Sequence, residues 1–188
     1  MPSAAPAPEP VLETARLILR IPQRDDFAGW AALGEDAAAM RFLGGVKPRF
    51  ETWKHFLATV GAWHVQGFAP FSVIEKSSGR WIGRVGPLRP EDWPGDEIGW
   101  TLAREAWGNG YATEAATAAA DWAFANLGWS EIIHCIAPDN APSQAVAARL
   151  GSVKRGQGRL PPPNDKEPID IWGQTRDEWL TRRTTHSS

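Results

Sequence analysis

Two glycines near the middle of the chain occur where a short backbone turn could hold an anion. Gly108 and Gly110 follow a segment of strand-like residues that ends at Leu102, and they precede the Ala-rich segment 113–126, which has high helix propensity. Glycine permits backbone angles that bring several N–H groups close to one ligand. The first N–H groups of a helix lack internal partners and carry partial positive charge. This spacing therefore fits a phosphate site that needs no lysine.

Two well-known phosphate-binding motifs fit this turn poorly. A P-loop needs a lysine and then Ser or Thr directly after its last glycine, whereas Tyr111 and Ala112 follow Gly110. A dinucleotide fingerprint needs a third small residue, where Thr113 stands here, and an acidic residue at the end of a strand about 20 positions on, which is missing. A lone Gly-x-Gly more often marks a turn without a ligand, so the surrounding residues must decide.

The hydrophobic patterning around the turn predicts strands and helices that could position it. Strands are predicted at 16–21, 71–75, 81–88, 97–102, 132–137 and 169–175, and helices at 27–33, 50–66, 113–126 and 140–150. The order of these elements predicts a mixed sheet with helices on its faces, an α/β fold. A loop is predicted from Gly156 to Pro168, and a tail from Arg176 onward.

The composition is that of an ordinary globular domain. Of 188 residues, 43% are hydrophobic and 22% are charged, which suits one domain with one core. The net charge of −2 gives no electrostatic basis for nucleic-acid binding. No run of about 18 apolar residues predicts a membrane span. We expect a disordered leader at 1–10, one domain at 11–180 and a flexible tail at 181–188.

Cys135 is the only cysteine of the chain. One cysteine cannot form an internal disulfide or a cysteine-based zinc site, so we expect no metal and a reducing, cytoplasmic location. The adjacent His134 lies on a predicted core strand, where a histidine is more often structural than catalytic. The sequence leaves open whether the protein forms a homodimer.

The glycine turn is part of a longer pattern. Glu-Ile-Gly-Trp-Thr-Leu (97–102) precedes it, and Gly-Asn-Gly-Tyr-Ala-Thr-Glu-Ala (108–115) contains it. Further along, Asn-Ala-Pro-Ser (140–143) and Arg-Leu-Gly (149–151) bound a short predicted helix. Together with Leu12–Arg20, which is similar to a first strand, this pattern resembles the GCN5-related N-acetyltransferases. It is closest to the branch that includes the ribosomal-protein N-terminal acetyltransferases.

The resemblance implies a single-domain fold with a central mixed, mostly antiparallel, twisted sheet flanked by helices, and acetyl-CoA as co-substrate. Backbone groups of β-strand residues 100–102 would pair with the pantetheine arm, and N–H groups of the turn would hold the pyrophosphate. Asn140 would hydrogen-bond the pantetheine, and Ser143 would lie near the sulfur. The cofactor-binding residues implied in this way are Trp100, Thr101, Leu102, Trp107, Gly108, Asn109, Gly110, Tyr111, Ala112, Thr113, Asn140 and Ser143.

The implied reaction is acetyl transfer to a primary amine by direct attack in a ternary complex. Such a reaction needs a base for the amine, a donor for the oxyanion and a proton for the leaving thiolate. Glu97 is the candidate base; the alternative is a solvated strand-end charge or a salt bridge. Ser143 is the candidate acid; the alternative is a hydroxyl that satisfies a backbone N–H in the first helical turn.

The acceptor is the least specified part of the reaction. A small-molecule amine and a protein N-terminal amine both fit the sequence. Glu91, Asp92 and Asp96 precede the cofactor strand and could hold a cationic amine, although a solvated loop has the same composition. The competing function is a non-catalytic acyl-CoA-binding sensor or regulatory module on the same fold, which would bind acetyl-CoA without turnover.

Overall fold

One eight-stranded sheet runs through the protein, which a computed structural model describes from residue 9 to residue 185. Its strands are β1 (Val11–Glu13), β2 (Leu17–Arg20), β3 (Phe71–Glu75), β4 (Trp81–Leu88), β5 (Glu97–Leu102), β6 (Glu131–Ile136), β7 (Val153–Gly158) and β8 (Ile169–Thr175). They lie in the order β1-β2-β3-β4-β5-β6-β8-β7. Every neighbouring pair is antiparallel except β5 and β6, which are parallel. The predicted mixed, mostly antiparallel sheet is confirmed.

Helices pack on both faces of this sheet. They are α1 (Phe27–Glu35), α2 (Ala37–Met40), α3 (Arg49–Gln66), α4 (Tyr111–Asn126), α5 (Ala141–Leu150) and α6 (Arg176–Thr185). Helix α4 packs on β4 and β5 through a stripe of fully buried alanines. The alanines of this stripe are Ala115, Ala116, Ala119, Ala120 and Ala123. Their small side chains let the helix lie close to the sheet.

Neighbouring residues of β4 show which helices share a face. Val85 is buried in the same core as the alanines of α4, whereas the guanidinium of Arg84 lies over the ring of Trp30 in α1. Because successive side chains of a strand point to opposite faces, α1 and α4 lie on opposite sides of the sheet. Phe27 and Phe56 join Trp30 in an aromatic cluster between α1 and α3.

Three segments differ from the sequence predictions. The loop predicted from Gly156 begins inside β7, whose side chains are nearly all exposed and therefore lack the alternation that reveals a strand. The tail predicted from Arg176 is helix α6, which is mostly polar. Helix α2 was not predicted; it is one short turn in which the carboxylate of Asp36 accepts from the N–H groups of Ala38 and Ala39.

The two ends of the chain are described in part. Positions 1–8 of the predicted leader and 186–188 of the predicted tail lie outside the described residues. The remaining tail positions, 181–185, form the end of α6. The strand predicted at the start of the domain is two strands, because a turn separates β1 from β2 and the two pair antiparallel. No helix in the described part of the chain is both long and apolar enough to cross a membrane.

Helix α6 completes the core beside α4. Trp179 is only 2% exposed, and its ring lies 6.1 Å from the ring of Phe124. Its indole N–H donates to Asp121 over 2.8 Å. This buried tryptophan is the apolar anchor of an otherwise polar helix, beside the ion pair of Arg183 with Asp121 over 2.9 Å.

Replacing Trp179 with Ala should destabilise the protein by about 3–5 kcal/mol, because the substitution leaves a cavity in the core. Leu180 follows it on α6 and is 48% exposed, so Leu180→Ala should change stability by about 0.5 kcal/mol or less. Equilibrium unfolding in denaturant measures both free energies. Equal losses for the two variants would show that α6 is not part of the cooperative core.

Candidate active site

Strands β5 and β6 meet at one point and then separate. The single pair is Glu97 with Ile133, where the N–H of Ile133 donates to the carbonyl of Asp96 over 2.8 Å. If the parallel ladder continued, the N–H of Cys135 would donate to the carbonyl of Ile98. The ladder stops instead, and a gap opens between the two strands toward their carboxyl ends.

Two side chains replace the missing ladder bond. The N–H of Cys135 donates to Glu97 Oε1 over 3.1 Å, and the carbonyl of Ile98 accepts from His134 Nδ1 over 2.7 Å. Leaving either backbone group unpaired inside the protein would cost roughly 1–3 kcal/mol. Because backbone groups alternate in direction along a strand, the N–H and carbonyl of Trp100 also point into the gap.

His134 holds the edge of this gap as a neutral imidazole. The carbonyl of Ile98 can only accept, so Nδ1 carries the proton and Nε2 accepts from the hydroxyl of Ser152, 2.9 Å away. Ser152 in turn accepts from the amide of Gln174 over 2.8 Å. Burial lowers the pKa of His134 to about 4. The structural interpretation of this histidine therefore agrees with its surroundings.

Glu97 lies at the closed end of the gap with only 6% of its surface exposed. Besides the N–H of Cys135, it accepts a hydrogen bond of 2.5 Å from Trp93 Nε1. None of the ion pairs formed by residues 9–185 includes Glu97. Burial raises the pKa of this carboxyl above its ordinary value, although both hydrogen bonds oppose the shift. The alternatives of a solvated charge and a salt bridge are therefore wrong.

The thiol of Cys135 lies against the same carboxylate. Burial raises the pKa of the thiol well above its usual range, and the nearby charge of Glu97 raises it further. Since the thiolate is the reactive form of cysteine, this side chain is a poor nucleophile. Among the described residues, no group of three or more His, Cys, Asp and Glu side chains could hold a metal ion.

The glycine turn leads directly into α4. Gly108 and Gly110 have φ values of 76° and 79°, left-handed values that cost a residue with a Cβ roughly 1–2 kcal/mol. The first backbone bond of the helix runs from the N–H of Glu114 to the carbonyl of Gly110 over 3.1 Å. The N–H groups of residues 111–113 therefore have no partner within the helix, which is the arrangement that an anion requires.

Arg16 fixes this turn to the first strands. Its Nη1 donates to the carbonyl of Asn109 over 3.0 Å, and its Nε donates to the carboxylate of Glu114 over 2.7 Å. The guanidinium also lies 4.5 Å from the ring centre of Tyr111, whose hydroxyl donates to Glu75 over 2.6 Å. This role of Arg16 is not predictable from the sequence, because its contact with Asn109 spans 93 positions and its strand pattern carries no sign of that contact.

The start of α5 faces β5 across the gap. Asn140 caps the helix, and its Oδ1 accepts from the N–H of Ser143 over 3.3 Å. The hydroxyl of Ser143 accepts from Trp100 Nε1 over 3.3 Å, so it does not cap the helix itself. The ring of Trp100 also lies 4.8 Å from the ring of His134. The structure thus brings three of the predicted site residues together at the open side of the gap.

The three predicted pantetheine-pairing residues of β5 differ in what they present to the gap. Thr101 is opposite Arg84 of β4, and strand alternation directs its backbone groups toward β4. The carbonyl of Leu102 accepts from Trp107 Nε1 over 2.9 Å. Trp100 therefore presents both backbone groups to the gap, whereas Leu102 presents a carbonyl that already has one partner.

The chain matches the family described as acetyltransferase (GNAT) domain over residues 16–153. It belongs to this family, the GCN5-related N-acetyltransferases, and the resemblance inferred from the sequence is confirmed. The protein is accordingly an acetyl-CoA-dependent N-acetyltransferase.

Similar proteins occur in bacteria and in a fungus. The FsC-acetyl coenzyme A-N(2)-transacetylase of Aspergillus fumigatus is 30% identical over 92% of this chain and 79% of its own length. The uncharacterized protein YkkB of Bacillus subtilis is 31% identical over 74% of this chain and 83% of its own.

Solved structures share the fold. An acetyltransferase from Agrobacterium tumefaciens str. C58 has a TM-score of 0.78 at 29% identity, covering 93% of this chain and 99% of that chain. Mycobacterium smegmatis RimJ, solved in complex with CoA-disulfide, has a TM-score of 0.69 at 20% identity, with coverage of 95% and 94%. At that lower identity, the likeness to RimJ concerns the fold alone.

Replacing Gly110 with Val should weaken acetyl-CoA binding by roughly tenfold or more, because a β-branched residue distorts the turn and its N–H groups. Isothermal titration calorimetry measures the affinity. Gly67→Val is the matched control, since Gly67 has φ of 81° at the end of α3 and nothing lies within 4 Å of an added Cβ. If both variants bind acetyl-CoA as the wild type does, the pyrophosphate binds elsewhere.

Proposed function

We propose that the protein transfers an acetyl group from acetyl-CoA to a primary amine by direct attack in a ternary complex. The observation that carries the proposal is Glu97, a buried carboxylate without a cationic partner at the closed end of the gap between β5 and β6. A carboxylate whose pKa is raised by burial is suited to take a proton from an amine near neutral pH.

Direct attack is favoured over a covalent enzyme intermediate. The nucleophilic side chain nearest to Glu97 is the thiol of Cys135, and its raised pKa keeps it protonated. The buried imidazole of His134 is engaged at both ring nitrogens by Ile98 and Ser152. Neither side chain is therefore prepared to accept an acetyl group, and the amine itself is the nucleophile.

The gap, the turn and the start of α5 together fit acetyl-CoA. The backbone N–H and carbonyl of Trp100 are placed to pair with an extended amide chain such as pantetheine. The N–H groups at the start of α4 are suited to the pyrophosphate. Asn140 caps α5 at Ser143, whose hydroxyl contacts Trp100 of β5. When bound, acetyl-CoA supplies a thioester whose carbonyl carbon is open to attack.

The residues of the chain then have two proton-transfer roles. Glu97 takes a proton from the ammonium form of the acceptor, directly or through a water molecule, which frees the nitrogen lone pair. The carbon–nitrogen bond forms as the carbon–sulfur bond breaks, and the hydroxyl of Ser143 donates a proton to the departing sulfur. Ser143 regains its proton from the nitrogen or from solvent, so that N-acetyl product and free thiol result.

The acceptor is a primary amine, of a small molecule or of a protein N-terminus. A panel that contains both kinds, scored by free-thiol release from acetyl-CoA, would distinguish them. Acetyl-CoA binding without thiol release on any amine would instead support the sensor function.

Replacing Glu97 with Gln should slow thiol release at neutral pH by roughly 10²- to 10³-fold, as expected for the loss of a general base. The wild-type rate should rise with pH as Glu97 loses its proton, at a pH above the ordinary range for a glutamate because its pKa is raised. In Glu97→Gln this rise of the rate with pH should vanish. The rate difference between the variant and the wild type should become smaller at high pH, where the free amine is abundant.

Glu131→Gln is the control for this substitution. Glu131 is also the first residue of a strand, β6, but it is exposed to solvent. Its substitution should leave the rate and the pH profile unchanged. An unchanged pH profile in Glu97→Gln, with the fold intact by circular dichroism, would remove Glu97 as the base.

Replacing Ser143 with Ala should lower kcat by roughly a hundredfold, because the departing sulfur loses its proton donor. Trp100→Phe is the comparison. It removes the indole N–H that donates to the Ser143 hydroxyl but keeps an aromatic ring, and it should retain most of kcat. Single-turnover measurements of thiol release separate this chemical step from product release. A wild-type rate in Ser143→Ala would assign the donor role to water.

A further inference from the structure

A small depression between α1, α3 and β4 is lined by both charged and apolar side chains, among them Leu33 and Met40. Arg84 also lines it, with its guanidinium carbon 4.8 Å from the ring centre of Trp30 and its Nη1 2.9 Å from His55 Nε2. Lys47 and Thr52 line the same depression. The side chain of His55 is exposed to solvent, so the depression is accessible from outside.

The positive charge of Arg84 has no carboxylate partner. None of the ion pairs formed by residues 9–185 includes Arg84 or Lys47. Arginine only donates, so His55 accepts through Nε2 and is neutral; the charge of Arg84 lowers the pKa of His55 to about 3. Burial lowers the pKa of Arg84 only to about 10, so the guanidinium stays charged at neutral pH.

Three polar atoms of residues that line the depression are buried without a hydrogen-bond partner among the described residues. They are Trp30 Nε1, Thr52 Oγ1 and Arg84 Nε. Each buried group of this kind costs roughly 1–3 kcal/mol when it is left unpaired. Two of them are N–H groups that can only donate, and the third is a hydroxyl that can donate. A carboxylate placed against Arg84 would accept from the guanidinium and neutralise its charge.

The depression lies on the same face of the sheet as Glu97. Arg84 is directly opposite Thr101, and Glu97, Gly99 and Thr101 alternate onto one face of β5. Between the two ends, Gly86 of β4 is opposite Gly99, so no side chain rises from the sheet there. The only atom near an added Cβ at Gly99 would be Glu97 Oε1, at 3.8 Å. Arg84 and Glu97 thus lie on one face of the sheet with two facing glycines between them.

We propose that Arg84 binds a carboxylate of the acceptor, so that the acceptor is an amine with an anionic group several bonds from the reacting nitrogen. This inference rests on the function proposed above. Thr101, which is opposite Arg84, lies four residues from Glu97 along β5, a backbone distance of about 13 Å. The acceptor should therefore carry its carboxylate further from the nitrogen than an α-amino acid does, and ε-aminocaproate is such an amine.

The test compares two acceptors that differ in charge, ε-aminocaproate and its amide. The wild type should use the carboxylate with a kcat/KM roughly 10- to 100-fold higher, as expected for charge-assisted hydrogen bonds. In Arg84→Gln the preference should fall to about twofold or less, because the amide side chain carries no charge. Arg84→Lys keeps the charge without the planar fork and should retain part of the preference.

Arg24→Gln is the matched control. The guanidinium carbon of Arg24 lies 4.8 Å from the ring of Trp53, just as that of Arg84 lies over Trp30. Arg24 does not line the depression. Substitution of Arg24 should leave the ratio of the kcat/KM values for the two acceptors unchanged. The control therefore distinguishes the loss of an arginine stacked on a tryptophan from the loss of the proposed anion site.

A binding measurement distinguishes failure of this inference from failure of the proposed function. Hexanoate, which carries no amine, should raise the Tm of the wild type and of Arg24→Gln but not that of Arg84→Gln. If it does so while no amine releases thiol, the carboxylate site stands and the proposed function fails. If amines release thiol but the wild type uses both acceptors equally and hexanoate has no effect, the proposed function stands and Arg84 does not bind the acceptor.

Discussion

The site depends on the place where hydrogen bonding between β5 and β6 stops. A parallel ladder that ends inside a protein leaves a donor on one strand and an acceptor on the other, and neither can remain unpaired at low cost. Here a carboxylate satisfies the donor and an imidazole satisfies the acceptor. Both backbone groups at the end of the ladder are therefore paired within the protein.

The contacts that make Glu97 part of the sheet also favour the role proposed for it. Its hydrogen bond to the N–H of Cys135 fixes the carboxylate to the backbone at the closed end of the gap, and the indole of Trp93 holds the other oxygen. The burial that makes this possible also raises the pKa of the carboxyl. The contacts by which this side chain supports the sheet are thus the same ones on which its proposed role in proton transfer rests.

The tryptophans show why part of the site could not be predicted from the sequence. The glycine turn and α4 were predictable because turn chemistry and helix propensity are local. The partners of Glu97 could not be predicted in this way. Cys135 lies 38 positions away, and the contact with Trp93 depends on the conformation of a loop. Several of the 11 indoles donate across elements, as Trp100 does to Ser143 and Trp179 to Asp121. A tryptophan pattern alone does not reveal such pairings.

The docking of α6 also bears on how the protein is made. Trp179 covers Phe124 and Asp121 of α4, the helix that begins at the glycine turn. Since α6 follows every other described element in the chain, a ribosome completes the rest of the domain before this cover exists. During synthesis the flank of α4 is exposed, and a chain that stops short of α6 presents an uncovered aromatic surface to chaperones and proteases. Docking of α6 is therefore the step that covers this flank of α4.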